Sequence, residues 1–334
     1  MNASPDFSVA GLHVLISGGT GGIGGAFARA FRVSVLRHRL RQRHDADPRG
    51  ARAWHRRDLH PAAGGSHMVR RLFDTVGLLA VLALLLAPIL WMGTSAFKPR
   101  TEITAYPPHF VFTPTLDNFR ELFGRTDFVL NTWNSLVVAT GSTVLALALA
   151  VPAAFAISWH YMQWPATALL LARMVPGNLF LLPWFLLFSA LGLVGTHSVL
   201  ILTHAAITLP VAVWILLPYF EGIPRELYES AQVDGAQGWQ ILGLVALPLV
   251  TPGLVVAAIL CFVFSWNYFL FALVLSGYDT KTAIVASFNF IGEGTTNWGA
   301  LMAAASVIAL PPILLTLLIQ RRLVGGLAAG AVKG

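Results

Sequence analysis

The chain of 334 residues is 56% hydrophobic and only 11% charged, with a mean hydropathy of +0.69. Water-soluble domains carry about 25% charged residues, so an ordinary soluble enzyme is excluded and a membrane protein is expected. The net charge of +7 does not indicate a nucleic-acid binder: residues 1–67 hold ten Arg against four Asp, while the rest holds twelve Lys plus Arg against eleven Asp plus Glu.

In the basic segment 1–67 a short strand is expected from Leu12 to Ile16, then come Ser17, Gly18, Gly22, Ile23 and Gly24, and a helical run is expected from Ala26 to Phe31. These twenty or so residues resemble the nucleotide-binding start of short-chain dehydrogenases, in which glycines let the backbone approach a pyrophosphate. The remainder of the segment is too short and too Arg-rich to complete a parallel sheet. The segment is therefore expected to be a disordered basic extension or a misassigned start, with Met68 opening the functional domain 68–334. An enzyme fused to a membrane anchor is the reading that would give these glycines a role.

Beyond Met68 lie six uncharged or nearly uncharged stretches, each close to the ~20 residues that a helix needs to cross a bilayer. They are expected at 75–97, 134–158, 166–190, 198–218, 249–275 and 298–320. Val69-Arg70-Arg71 before the first and Arg321-Arg322 after the last place both termini in the cytoplasm by the positive-inside tendency. The expected fold is all-α and polytopic. Arg173 and His204 fall inside spans, where a structural role is expected for each. Cys261 also lies in an apolar span, so no intrachain disulfide is possible and a packing role is expected.

Between the fourth and fifth spans, the loop 221–248 carries the only run of several charges between Phe128 and Gly277. Pro224 stands at a plausible first helical position, Glu226 and Glu229 share a face, and Leu227, Tyr228 and Ala231 form an apolar side. Asp234-Gly235 ends that helix, and Asp234 is expected to cap a second one.

The spacing Glu229-Ser230-Ala231, three residues, Gly235, nine residues, Val245-Ala246-Leu247-Pro248 resembles the cytoplasmic EAA loop of bacterial ABC importer permeases. Ser230 and Val245 are mild departures. Further matches are Thr94 to Lys98, Tyr106-Pro107-Pro108, Thr115 to Phe119, Met174-Val175-Pro176, Ser265 to Ala272 and the tail from Gly326 to Gly334. Together they are similar to the binding-protein-dependent carbohydrate importers of the MalG-like kind. The resemblance implies a six-helix permease subunit in the bacterial cytoplasmic membrane. It implies as partners ABC ATPase subunits, a second and different permease subunit, an extracytoplasmic sugar-binding protein and membrane lipid.

It further implies that Glu226, Tyr228, Glu229, Ser230, Ala231, Asp234, Gly235 and Pro248 form the ATPase-coupling loop. In the fifth span, Trp266, Asn267 and Tyr268 are candidates for the translocation path, since an Asn in hydrocarbon needs a partner and aromatic faces suit sugar rings. No catalytic, cofactor or metal residue is expected. The chain has no G-x4-GK[ST] stretch, so no ATPase site of its own is expected. An ion-coupled secondary transporter is the alternative, and it would want a carboxylate inside the spans.

Overall fold

The structure is a computed structural model that describes residues 7–9, 12–14, 64–292 and 295–331. Contacts divide the chain into units of residues 1–81 and 82–334. In the first unit, β1 (Phe7–Val9) pairs antiparallel with β2 (Leu12–Val14), with Phe7 opposite Val14. The glycine run from Gly18 to Gly24 and the helical run expected from Ala26 to Phe31 lie outside the described residues.

From Gly64 onward the described chain is helical. In order come α1 (Gly64–Ser95), α2 (Arg100–Ile103), α3 (Asp117–Gly124), α4 (Phe128–Trp159), α5 (Gln163–Met174) and α6 (Leu181–Ala190). Then come α7 (His197–Glu221), α8 (Arg225–Val233), α9 (Gly238–Trp266), α10 (Leu270–Leu275), α11 (Ala283–Ser287) and α12 (Trp298–Ala331). Among the described residues, five helices are long and apolar enough to span a bilayer: α1, α4, α7, α9 and α12.

Where a single third crossing is expected at 166–190, the chain is broken. Helix α5 stops at Met174, Val175 and Pro176 are extended with ψ of 122° and 124°, and a 3-10 turn Gly177–Phe180 leads into α6. The cause is local, because the proline ring clashes with a helical residue before it and drives that residue to extended geometry. The expected fifth span is interrupted too. Asn267 Nδ2 donates to Val263 O at 2.8 Å, the carbonyl to which its own backbone N–H already donates at 3.1 Å. Such a side chain competes with the helical ladder, and α9 ends at Trp266.

The core lies where α4, α7 and α9 meet. Ala139, Ser142, Ala146, Ala150 and Ala154 form a buried stripe at helical spacing on α4, and Gly253, Ala257 and Cys261 do the same on α9. In lipid the apolar solvent supplies no hydrophobic drive between helices, so close approach of small residues carries the packing. Three polar side chains inside this interface are linked: Ser142 Oγ donates to Ser265 Oγ at 2.8 Å, and Ser265 Oγ lies 2.9 Å from His204 Nδ1, while His204 Nε2 has no partner among the described residues. His204 is fully buried, in keeping with the structural role expected for it.

A second cluster gathers Leu122, Phe128, Ala286, Phe290, Ala300 and Ala304 at the start of α4. Asn118 fastens it, donating from Nδ2 to Ala96 O at 2.9 Å and to Lys98 O at 2.8 Å. A side chain at Gly299 would strike this carboxamide, so the close approach of α12 requires glycine there. Buried Lys98 is held by His109 O at 2.7 Å and by the Trp91 ring at 4.3 Å.

Candidate functional site

The loop between α7 and α9 is built around α8. Pro224 stands at the N-cap with φ −57°, and Arg225 is the first helical residue, so the helix starts one residue later than the sequence suggests. Tyr228 points inward and is only 3% exposed. Its ring meets Trp159 at 5.1 Å and Phe155 at 5.9 Å, both from the last turns of α4. Ile223 is buried in the same cluster, and Ala231 packs against it.

Arg225 adds a polar anchor that the sequence pattern does not reveal. Its guanidinium donates to Ser158 O at 2.6 Å and Trp159 O at 3.0 Å, and lies 3.8 Å from the centroid of the Tyr161 ring. The last carbonyls of a helix lack intrahelical partners and carry the negative end of its dipole, so an arginine there satisfies both needs. Helix α8 is thereby fixed to the end of α4. Burial pushes the Tyr228 phenol above its usual pKa range, an effect that nearby Arg225 opposes.

The opposite face of α8 is open. Glu226, Glu229, Ser230 and Val233 recur at spacings of three and four and are all exposed. Val233 is 88% exposed, an apolar group that the described residues leave uncovered. Leu227, expected on the buried side, is 42% exposed at the edge of this stripe.

Helix α8 ends in a glycine turn. Asp234 is the C-cap, Gly235 has φ +84°, Gly235 N–H donates to Gln232 O at 3.0 Å and Ala236 N–H to Ala231 O at 2.9 Å. This pair of bonds is the Schellman arrangement, which needs a left-handed residue at the position Gly235 occupies. The expectation that Asp234 caps the next helix is therefore corrected. Gln237 holds that place, in a capping box with Gln240 whose Oε1 accepts from Gln237 N–H at 2.7 Å.

Pro248 stands in the first turn after a π-helical stretch, Ile241–Ala246, from which Leu247 N–H reaches back to Leu242 O. Proline would crowd the carbonyl four residues before it in a regular helix, and the wider turn relieves that contact.

Trp266, Asn267 and Tyr268 sit at the break between α9 and α10 and face different surroundings. Trp266 is buried and its Nε1 donates to Ile308 O at 3.0 Å. Asn267 is exposed and bonded within its own helix. Tyr268 is half-buried, stacks on Phe271 at 5.5 Å and lies 5.4 Å from the His204 ring. Its hydroxyl lies close to Gly177, so the breaks in the third and fifth expected crossings adjoin.

The model of the binding-protein-dependent transport system inner membrane component family matches residues 67–328. The trehalose transport system permease protein SugB of Mycobacterium tuberculosis is 38% identical over 259 residues, 75% of this chain and 93% of that protein. The trehalose/maltose transport system permease protein MalG of Thermococcus litoralis is 32% identical over 278 residues, 80% of this chain and 98% of that protein. Among solved structures, a bacterial ABC transporter involved in the import of the acidic polysaccharide alginate superposes with a TM-score of 0.66 at 20% identity, covering 78% of this chain and 99% of that one. With the family model matched over most of its length, the chain belongs to the inner membrane components of binding-protein-dependent transport systems.

Proposed function

We propose that this chain is the permease subunit of an ATP-driven importer that carries a carbohydrate across the bacterial cytoplasmic membrane. The observation that carries the reading is α8: one face anchored to α4 through Tyr228 and Arg225, the other offering Glu226, Glu229, Ser230 and Val233. A helix held in this way transmits a push to the span beneath it, and its acidic open stripe suits a groove on an ATPase subunit. Closure of the ATPase pair moves α8 as a rigid lever and swings α4, α7 and α9 between inward-open and outward-open states. Gly235 and Pro248 shape the two ends of the lever's return path, and Asp234 closes its last turn.

In this reading α5, the 3-10 turn and α6 together make the third of six crossings, and both termini lie in the cytoplasm. Backbone broken at membrane depth is tolerated where it lines a cavity or is buried in protein. The adjoining breaks at Gly177 and at Asn267-Tyr268 therefore mark the translocation path, with Asn267 exposed to it, Tyr268 at its wall and Trp266 bracing α9 from behind. The carbohydrate class follows the trehalose and trehalose/maltose systems of the relatives. A second permease subunit completes the path, a sugar-binding protein delivers the substrate outside, and residues 1–67 are an extension with no part in transport.

The ion-coupled alternative lacks a carboxylate at depth. In the five long apolar helices the only acidic residues of the spans are Asp74 and Glu221, both near span ends. Uptake of labelled trehalose and maltose by proteoliposomes holding the whole transporter separates the two. It is expected to require ATP and the binding protein and to ignore a protonophore. Uptake that proceeds without ATP and collapses with the protonophore contradicts the proposal.

A further inference from the structure

At the other end of α4, away from α8, a cavity of about 220 Å³ is lined by Arg125, Asp127, Asn131, Tyr278, Lys281 and Asn289, among others. Arg125 and Lys281 against Asp127 leave one positive charge in this lining. The N-terminus of the 32-residue helix α4 adds the positive end of its dipole. Neither cation forms an ion pair among the described residues, whereas neighbouring Arg100 and Arg120 are paired with Glu121 and Asp117. Lys281 Nζ rests 5.5 Å from the Tyr278 ring centroid, and Tyr278 Oη donates to Asp127 Oδ2 at 3.4 Å.

Asn131 distinguishes this cavity from a patch of solvated charge. It is 8% exposed and lines the cavity, and its carboxamide has no hydrogen-bond partner among the described residues. The amide opens onto the cavity, where it is free to bond a group that enters. Asn131 shares the buried face of α4 with Phe128, Asn134, Ser135 and Val138, opposite the exposed ridge of Val129, Trp133 and Leu136. The cavity thus faces away from the exposed apolar side of α4, and in the proposed orientation its ligand comes from water.

We propose that this cavity is a carboxylate-binding site on the external face of the transporter. Arg125 and Lys281 supply the charge, and the amides of Asn131 and Asn289 donate hydrogen bonds. A single positive charge matches one carboxylate, whereas a phosphate dianion would meet Asp127 with charge to spare. The carboxylate comes either from an acidic side chain of the docked binding protein or from the acid group of a free sugar acid. The external placement rests on the orientation given under the proposed function.

The test uses the assembled transporter in nanodiscs, as wild type, Arg125→Gln and Lys281→Gln, both changes being outside the helix core. Stimulation of ATP hydrolysis is titrated with the soluble binding protein, with sodium glucuronate or glucose added at matched ionic strength; the melting temperature is read with the same two sugars. If the partner's side chain is the ligand, neutralising either cation raises the half-maximal binding-protein concentration about tenfold, and glucuronate competes in the wild type while glucose does not. If a free acid is the ligand, glucuronate raises the melting temperature of the wild type only, and the titration is the same in all three. Variants that match the wild type in both readouts overturn the site. A wild type that the binding protein does not stimulate counts against the importer reading instead, and the melting comparison then decides the site alone.

Discussion

Gly235→Val is expected to lower uptake about tenfold or more while leaving the amount of protein in the membrane unchanged. Gly235 has φ +84°, and no atom lies within 4 Å of where a Cβ would stand, so the substitution meets no clash. Its whole effect falls on the backbone. A left-handed conformation costs a side-chain-bearing residue about 1–2 kcal/mol, and more for a β-branched one. About 1.4 kcal/mol is a tenfold change in population, and it is the population of the turn between α8 and α9 that changes. Gly235→Asn is the control, because asparagine tolerates this conformation, and it is expected to keep most of the uptake. Labelled-sugar uptake set against immunoblots of the membrane fraction checks the pair. Equal loss in both variants would place the effect elsewhere than in the Schellman turn.

Tyr228→Ala is expected to detach α8 from α4. The ring is 3% exposed and fills space between Phe155 and Trp159, and truncating a large buried aromatic costs about 3–5 kcal/mol. Uptake and ATP hydrolysis should part company, with hydrolysis continuing while transport fails. Tyr228→Phe should behave otherwise. The Tyr228 hydroxyl is buried with no hydrogen-bond partner among the described residues, so removing it is expected to be neutral or slightly stabilising. Thermal unfolding in detergent, read beside the ratio of uptake to hydrolysis, tests both. A Tyr228→Phe variant as impaired as Tyr228→Ala would show that the hydroxyl has a role that the ring contacts do not explain.

The long helices are legible in the sequence because an uncharged run of about twenty residues has few other solutions. Their ends are less so. Helix α4 starts at Phe128 rather than near 134, and Asn131, which lies before the expected span, is buried helix, as Asn134 is. Asn134 in fact ties the distant chain to α4, donating to Asp279 O at 2.8 Å and Lys281 O at 3.0 Å. Nothing local announces a partner 145 residues away.

The break in the third expected crossing has a local signal, Val175 before Pro176, which averaged hydropathy over 166–190 conceals. In the loop after α7, Glu226, Glu229 and Gly235 sit where spacing puts them. Arg225 escapes because its partners are backbone carbonyls, which leave no mark in a side-chain pattern. Asp234 misleads for a physical reason: once Gly235 turns left-handed, Asp234 belongs to the helix that is ending, and the next begins only after Gln237.

Contact between the open face of α8 and an ATPase subunit is tested most directly by site-directed crosslinking of the intact transporter. A cysteine at Val233 or Ser230, both exposed, is expected to capture the ATPase subunit from the cytoplasmic side, in a yield that changes when ATP is added. A cysteine that captures no such subunit, or that reacts only with a reagent supplied from outside the cell, would contradict it.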